Sequence, residues 1–146
     1  MSAYLFPDAG VLHRFAISSR LDTLKSFLDG RGRWTAATAF EAARMCGGGA
    51  ALAAIESAGW MQDPIEISDP EEIQRVQLLR RTVFGGVPDD PLSRLGEAET
   101  WHVLSEWTAF ADGILVTDDP ILLQYAQRCR IRARRVSPSL SLREAT

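Results

Sequence analysis

Apolar and polar positions along this chain repeat with two different periods, and the places where the period changes mark its elements. From Glu97, the residues Trp101, Val103, Leu104, Trp107, Ala109, Phe110 and Ala111 recur at spacings of mostly three and four, which predicts a helix with one broad buried face. After the turn pair Asp112-Gly113, Ile114-Leu115-Val116-Thr117 is an unbroken run of strand formers with no polar alternation. Such a run fits a strand covered on both faces, as in a parallel sheet. Ala3–Phe6 is a second short apolar run, predicted as a central strand that ends at Pro7-Asp8. Val11–Ile17 then returns to helical spacing.

The remaining elements follow the same reading. Ser19 is the expected cap of a helix running to Leu28, with Leu21, Leu24, Phe27 and Leu28 inward, and Asp29-Gly30 stops it. Arg33-Trp34-Thr35 predicts a brief strand, and Ala36–Met45 a helix that carries Glu41. The triple glycine 47–49 precedes an expected helix over 50–58 that ends at Gly59, and with no Lys-Ser/Thr after it reads as a hinge, not a phosphate cradle. Pro64–Ile67 predicts another strand, and Ser68-Asp69-Pro70 a capped helix start. That helix places Ile73, Val76, Leu79 and Val83 on its apolar face and Arg75, Arg80 and Arg81 toward solvent. Residues 85–91 form a loop, Ile121–Cys129 a helix, and 131–134 an edge strand. Strands alternating with helices predict an α/β domain with a mostly parallel sheet of four or five strands.

Composition narrows the class. A chain of 146 residues with 46% hydrophobic content reads as one domain, 1–146, with a core of its own. The net charge of −3 and a pI near 5.4 give no overall basic field for nucleic acid, although Arg128, Arg130, Arg132, Arg134 and Arg135 crowd one C-terminal stretch. Cys46 and Cys129 match no metal-ligand spacing and read as reduced, half-buried thiols. Without a signal peptide or an apolar run near ~18 residues, the expectation is a soluble cytoplasmic protein without a membrane partner.

The candidate chemistry lies in the acids. Asp8 and the pair Asp118/Asp119 fall at the ends of predicted strands, just before helices, where open parallel sheets bind their ligands. Glu97 and Glu99 lie in the first turn of the helix before the Ile114–Thr117 strand, and Glu41 comes from a fourth segment. Carboxylates brought together repel, and one is driven to hold a proton unless a cation intervenes. Oxygen ligands favour Mg²⁺ or Mn²⁺, and no His/Cys set suits zinc. The chemistry these groups point to is metal-assisted phosphodiester hydrolysis. Each acid also fits a plainer role as a helix cap or first-turn residue, so an acid-capped α/β domain without a site is the competing reading.

PDAGVLHRFA, then TAATAFEAARM, then LGEAETWHVLSEWTAFADGILVTDDPILLQYAQ together resemble the PIN domain, and in particular VapC-type toxins and related stand-alone PIN proteins. The resemblance covers nearly the whole chain, in the order strand-Asp, helix-Glu, acidic helix, strand-Thr-Asp-Asp. It implies a three-layer α/β/α sandwich whose acids bind Mg²⁺ or Mn²⁺ and cut RNA. By motif position, Asp8 resembles the first acid, Glu41 the second, Glu99 or Glu97 the third, and Asp119, helped by Asp118, the fourth. Two departures stand out. Ala9 and Gly10 replace the usual hydroxyl and amide after the first acid, removing a hydrogen bond that would orient it, and Glu41 is followed by Ala42 and Ala43.

For an acidic protein to hold RNA, local positive charge is needed, and Arg14 and Arg44 are the chosen contacts among arginines that could rim the site, Arg31, Arg33, Arg80, Arg81 and Arg94 being the others. Trp34 or Trp60 could stack a base if exposed. His13 and His102 sit inside helical patterns and read as structural. The resemblance further implies a homodimer and an antitoxin partner, whose acidic tail the C-terminal arginines could meet. The leading expectation is thus a toxin ribonuclease, and the alternative a PIN-fold RNA- or protein-binding module with weak or no catalysis.

Overall fold

A computed structural model describes residues 3–45 and 59–139. In chain order they form β1 (Leu5–Pro7), α1 (Ala9–Ile17), α2 (Leu21–Leu28), α3 (Ala36–Met45), α4 (Pro70–Thr82), α5 (Leu95–Glu106), a 3-10 turn (Thr108–Phe110), β2 (Ile114–Thr117), α6 (Pro120–Arg128) and β3 (Ala133–Arg135). The strands make one parallel sheet in the order β1-β2-β3, with Phe6 opposite Leu115 and Val116 opposite Arg134.

Alternation along the two inner strands divides the core. Leu5, Ile114 and Val116 pack with Val11, Leu12 and Phe15 of α1 and Leu24 and Leu28 of α2. Phe6 and Leu115 face the other way, against Trp101, Val103 and Leu104 of α5 and Leu122 and Ala126 of α6. Helices therefore cover both faces, which is why neither strand shows polar alternation. α5 is buried nearly all round, from Gly96 through Leu104, and that accounts for its unusually broad apolar pattern.

The sheet is narrower than expected among the described residues: three strands, where four or five were predicted. The segments 33–35 and 64–67 contribute a single parallel bridge, Thr35 to Ile65, and Gly32 bridges both Leu5 and Met61. The chain at 31–33 bonds the free edge of β1 and the 64–67 run bonds 34–36 in turn, each too briefly to build a ladder. Gly32 is needed there, because a Cβ would fall 2.6 Å from Met61 Sδ and 3.0 Å from the Trp60 carbonyl. Other boundaries shift as well. α2 begins at Leu21 behind Arg20 and not at a Ser19 cap, and β3 occupies 133–135. α5 starts two residues before Glu97 and ends at Glu106, so Ala109 and Ala111 are exposed. Asp69 caps α4 as expected, its carboxylate accepting from Glu72 N–H at 3.1 Å with Pro70 first in the helix. Trp34 and Trp60 are buried, which removes both as base-stacking platforms. Cys129 is exposed and not half-buried. The expected helix over 50–58, the triple glycine and Cys46 lie outside the described residues. Among the described residues no helix is long and apolar enough to cross a membrane.

α4 and α5 are joined by polar contacts that periodicity could not anticipate. His102, buried in α5, meets Glu72 at 2.9 Å, and the same carboxylate oxygen accepts from Trp107 Nε1 at 2.7 Å. Both bonds hold the Glu72 carboxyl below its usual range, the His102 bond having the larger effect. The structural reading of His102 fits this placement. Arg80, expected toward solvent, is instead 2% exposed. Its Nε donates to Gln77 Oε1 at 2.7 Å, and its Nη1 reaches the carbonyls of Val87, Asp90 and Ser93 at 2.9, 2.8 and 3.2 Å. Bonds from Nε and Nη1 offset the cost of burying this guanidinium, and through them it holds the loop between α4 and α5 from within. Gly86 makes room: a Cβ there would lie 2.6 Å from Arg80 Nη1. Arg80→Met, which keeps the stem but strands three carbonyls, is expected to lower unfolding free energy by about 2 to 4 kcal/mol in urea denaturation. A change under about 0.5 kcal/mol would mean the loop is held by something else.

Candidate functional site

β1 and β2 end side by side, and each hands the chain to a helix through an aspartate. Asp8 caps α1, its Oδ1 accepting from Val11 N–H at 2.7 Å. Asp119 caps α6, its Oδ1 accepting from Ile121 and Leu122 N–H at 2.9 and 3.4 Å. The Thr117 hydroxyl lies between them. It donates to Asp8 Oδ2 and accepts from Asp119 N–H at 3.2 Å. The hydroxyl that Ala9 lacks is thus supplied from the neighbouring strand.

Two further acids arrive from helices. Glu41 of α3 reaches the start of α5, where its Oε1 accepts from Gly96 N–H at 2.9 Å. The close approach depends on glycine, since a Cβ at position 96 would stand 3.0 Å from both Glu41 Oε1 and Thr38 Oγ1. Glu97, one residue on, pairs with Arg94 at 2.9 Å. Asp8, Glu41, Glu97 and Asp119 line a common cavity of about 220 Å³, together with Arg14, Arg94, Thr38 and Thr100.

The other two acids expected at the site are placed elsewhere. Glu99 is turned to the start of α3, where it accepts from Ala37 N–H at 3.0 Å, beside Phe40 and Leu95. Asp118 is engaged by two arginines, Arg14 at 3.5 Å and Arg135 at 3.1 Å. Of the two arginines chosen as RNA contacts, Arg14 lines the cavity, and exposed Arg44 lies over the Phe40 ring beside Glu41 and Met45. Arg94 and Thr117 carry more of the site than their sequence signals suggested. Arg94 stood in the sequence only as one arginine among several, and Thr117 only as the first letter of Thr-Asp-Asp.

Electrostatics separate this cavity from a surface acid patch. Burial raises the Asp8 carboxyl above its ordinary value, opposed by the Thr117 and Val11 hydrogen bonds and Arg14, with Asp119 pushing the same way as burial. Glu41 is raised by burial and by Glu97, against the Gly96 N–H. Burial also raises Glu97, assisted by Asp8 and Asp119, against Arg94. Away from the cavity, burial likewise raises Glu99, against the Ala37 N–H. These carboxyls sit close enough to feel one another. Even so, among the described residues no group of three or more His, Cys, Asp or Glu side chains is placed to hold a metal ion. Convergence on one cavity is therefore distinct from a preformed ligand set, because each acid is currently engaged by a protein donor.

Comparison with known proteins adds no assignment: no family model matches the chain, and no curated protein or solved structure matches it significantly.

The raised carboxyls have a consequence for stability. A carboxyl that binds its proton more tightly folded than unfolded stabilises the fold at low pH, and that contribution is lost as pH rises through the unfolded and then the folded pKa. Glu41→Gln keeps the acceptor for Gly96 and removes the charge. It is expected to raise the thermal midpoint by a few degrees at pH 7.5, with the gain vanishing towards about pH 4, where the wild-type carboxyl is itself protonated. Scanning calorimetry at the two pH values checks this, and a midpoint lowered at both would show that the charge is compensated.

Proposed function

We propose that the cavity is the catalytic site of a metal-dependent endoribonuclease of the PIN-domain kind, acting in the cytoplasm as the toxin of a toxin-antitoxin pair. The observation that carries this reading is the convergence of Asp8, Glu41, Glu97 and Asp119, from four separate segments, at the carboxyl ends of two adjacent parallel strands. Burial first, and repulsion between the acids to a lesser degree, raise three of these carboxyls, the electrostatic condition that a divalent cation relieves.

The donor set fits such an ion by its chemistry: oxygens only, hard and anionic, as Mg²⁺ and Mn²⁺ prefer. Asp8, Glu97 and Asp119 would hold it. A bound ion would supply Lewis acidity toward the phosphodiester and the attacking water. The chain's own residues supply the rest. Thr117 fixes the Asp8 carboxylate in orientation and ties it to the strand end that carries Asp119. Glu41 uses Oε1 on Gly96, and its raised proton affinity suits the other oxygen to holding or passing a proton. Arg94 and Arg14 bring positive charge to the cavity wall for a phosphate, and Arg44 extends it along α3. Asp118 serves by holding Arg14. Exposed Arg128 and Arg130, which do not line the cavity, offer a contact to an acidic antitoxin, and a homodimer completes the reading.

A second reading rests on one observation. Every cavity acid already has a protein donor and no three-residue ligand set stands ready, which favours a PIN-fold binding module with weak or no catalysis.

The two readings separate on a mixed pool of structured and single-stranded RNAs with Mn²⁺ or Mg²⁺. The nuclease should cut, and both Asp8→Asn and a chelator should abolish cutting. Equal products from wild type and Asp8→Asn would transfer the argument to the binding module. Thr117→Val, an isosteric change that removes only the hydroxyl, should lower cleavage or Mn²⁺ affinity by roughly ten- to a hundredfold. Unchanged activity in that variant would remove Thr117 from the machinery.

A further inference from the structure

A second groove opens directly off the acidic cavity. Arg94, Glu97, Asp119 and Leu122 line both, so the two are continuous. Beyond that junction the acids end, and the groove is walled by Val83, Phe84, Ile121, Leu122 and Tyr125. Its volume is about 290 Å³. Phe84 and Tyr125 stand edge to face with centroids 6.4 Å apart, and both contact Trp101 behind them, so the rings are held by packing. Ile121 lines the same groove and is 76% exposed. Arg94 is the sole cation of the groove lining and stands at the junction. It adopts a left-handed conformation with φ of 61°, immediately after the loop that buried Arg80 secures.

Resting on the ribonuclease reading, we propose that this groove seats an unpaired nucleobase of the RNA strand, next to the phosphate held at the acidic cavity. The argument is one of continuity and polarity. A nucleotide is an anion joined to a flat ring with apolar faces. The lining presents the same sequence of chemistry: acids for a cation and its phosphate, then Arg94, then two aromatic rings and an aliphatic edge. Rings that pack every base alike give preference for unpaired strands without reading their sequence. A base held in a duplex keeps its faces stacked and cannot enter. Trp34 and Trp60 are buried, whereas Phe84 and Tyr125 line a groove that shares Glu97 and Asp119 with the acidic cavity.

The test crosses a protein change with a substrate change. The probe is a single-stranded RNA oligonucleotide containing a mapped cleavage point, compared with versions abasic at the flanking positions. Wild-type protein should lose roughly tenfold or more in kcat/KM on the abasic strand at one flanking position, mainly through KM. Phe84→Leu, which keeps an apolar body, and the exposed change Ile121→Ser should raise KM for the intact strand and show little further loss on the abasic one. Non-additivity of this kind is beyond a merely structural effect. An abasic penalty that is absent, or equal in wild type and both variants, overturns the base subsite while leaving the nuclease. If Ile121→Ser turns a dimer into a monomer on gel filtration with the abasic penalty intact, the groove belongs to a second copy of the chain and the proposal fails. Absence of any metal-dependent cleavage by wild type removes the nuclease reading itself.

Discussion

The parallel pairing of β1 with β2 brings two strand ends into register, and one hydroxyl ties them together. Thr117 closes β2, donates to Asp8 beyond the end of β1, and accepts from the backbone of Asp119 at the start of α6. Both aspartates are also helix caps, so the same carboxylates that face the cavity fix where α1 and α6 begin. Position in the fold and position in the site are thus one constraint. A shift in register between the strands would move both helices and pull the acids apart.

Bringing acids together in a part-buried place is unfavourable, and the fold offsets this with backbone N–H donors and two arginines. Helix N–H groups hold Asp8 and Asp119, the Gly96 N–H holds Glu41, and Arg94 holds Glu97. These donors are not sufficient. Asp8, Glu41 and Glu97 all remain above their ordinary proton affinity, with burial as the leading cause. The charged forms of these carboxyls are therefore disfavoured where they stand, so each holds its proton to higher pH than a free side chain would. Glu99 and Asp118 differ in having found outlets of their own, on the α3 N-terminus and between two arginines.

Much of the fold and part of the site could be read from the chain alone. Asp8 and Asp119 were legible because a short apolar run, an aspartate and a helical pattern occur together at both places, and local chemistry sets that arrangement. The choice between Glu97 and Glu99 was not. Two residues apart on a helix means nearly opposite faces, and with α5 buried almost all round, periodicity offered no face to prefer. The role of Thr117 toward Asp8 was hidden because it crosses 109 positions of sequence. The gap seen at Ala9 was real locally and filled non-locally. The two missing strands failed for a related reason: 33–35 and 64–67 have strand-like composition, but single bridges at a sheet edge are set by tertiary fit at Gly32 and Thr35.

Arg80 shows how a polar residue can govern the site from a distance. On a helix with few apolar positions, an arginine reads as solvent-facing, and nothing in its neighbours suggests otherwise. The loop after α4 contains two glycines and two prolines between Val83 and Leu92, and beyond Phe84 at its start it has little apolar surface with which to anchor itself. Without an internal donor-rich partner such a segment would sample many conformations, and the residue at its end would be poorly placed. A buried guanidinium bound to three of its carbonyls solves this with hydrogen bonds instead of hydrophobic area. The chain then turns through Arg94 in a left-handed conformation and enters α5 with the Glu97 pair already formed. Since Arg94 stands where the acidic cavity meets the aromatic groove, the geometry of that junction depends both on the loop backbone that Arg80 holds and on the Arg94–Glu97 pair.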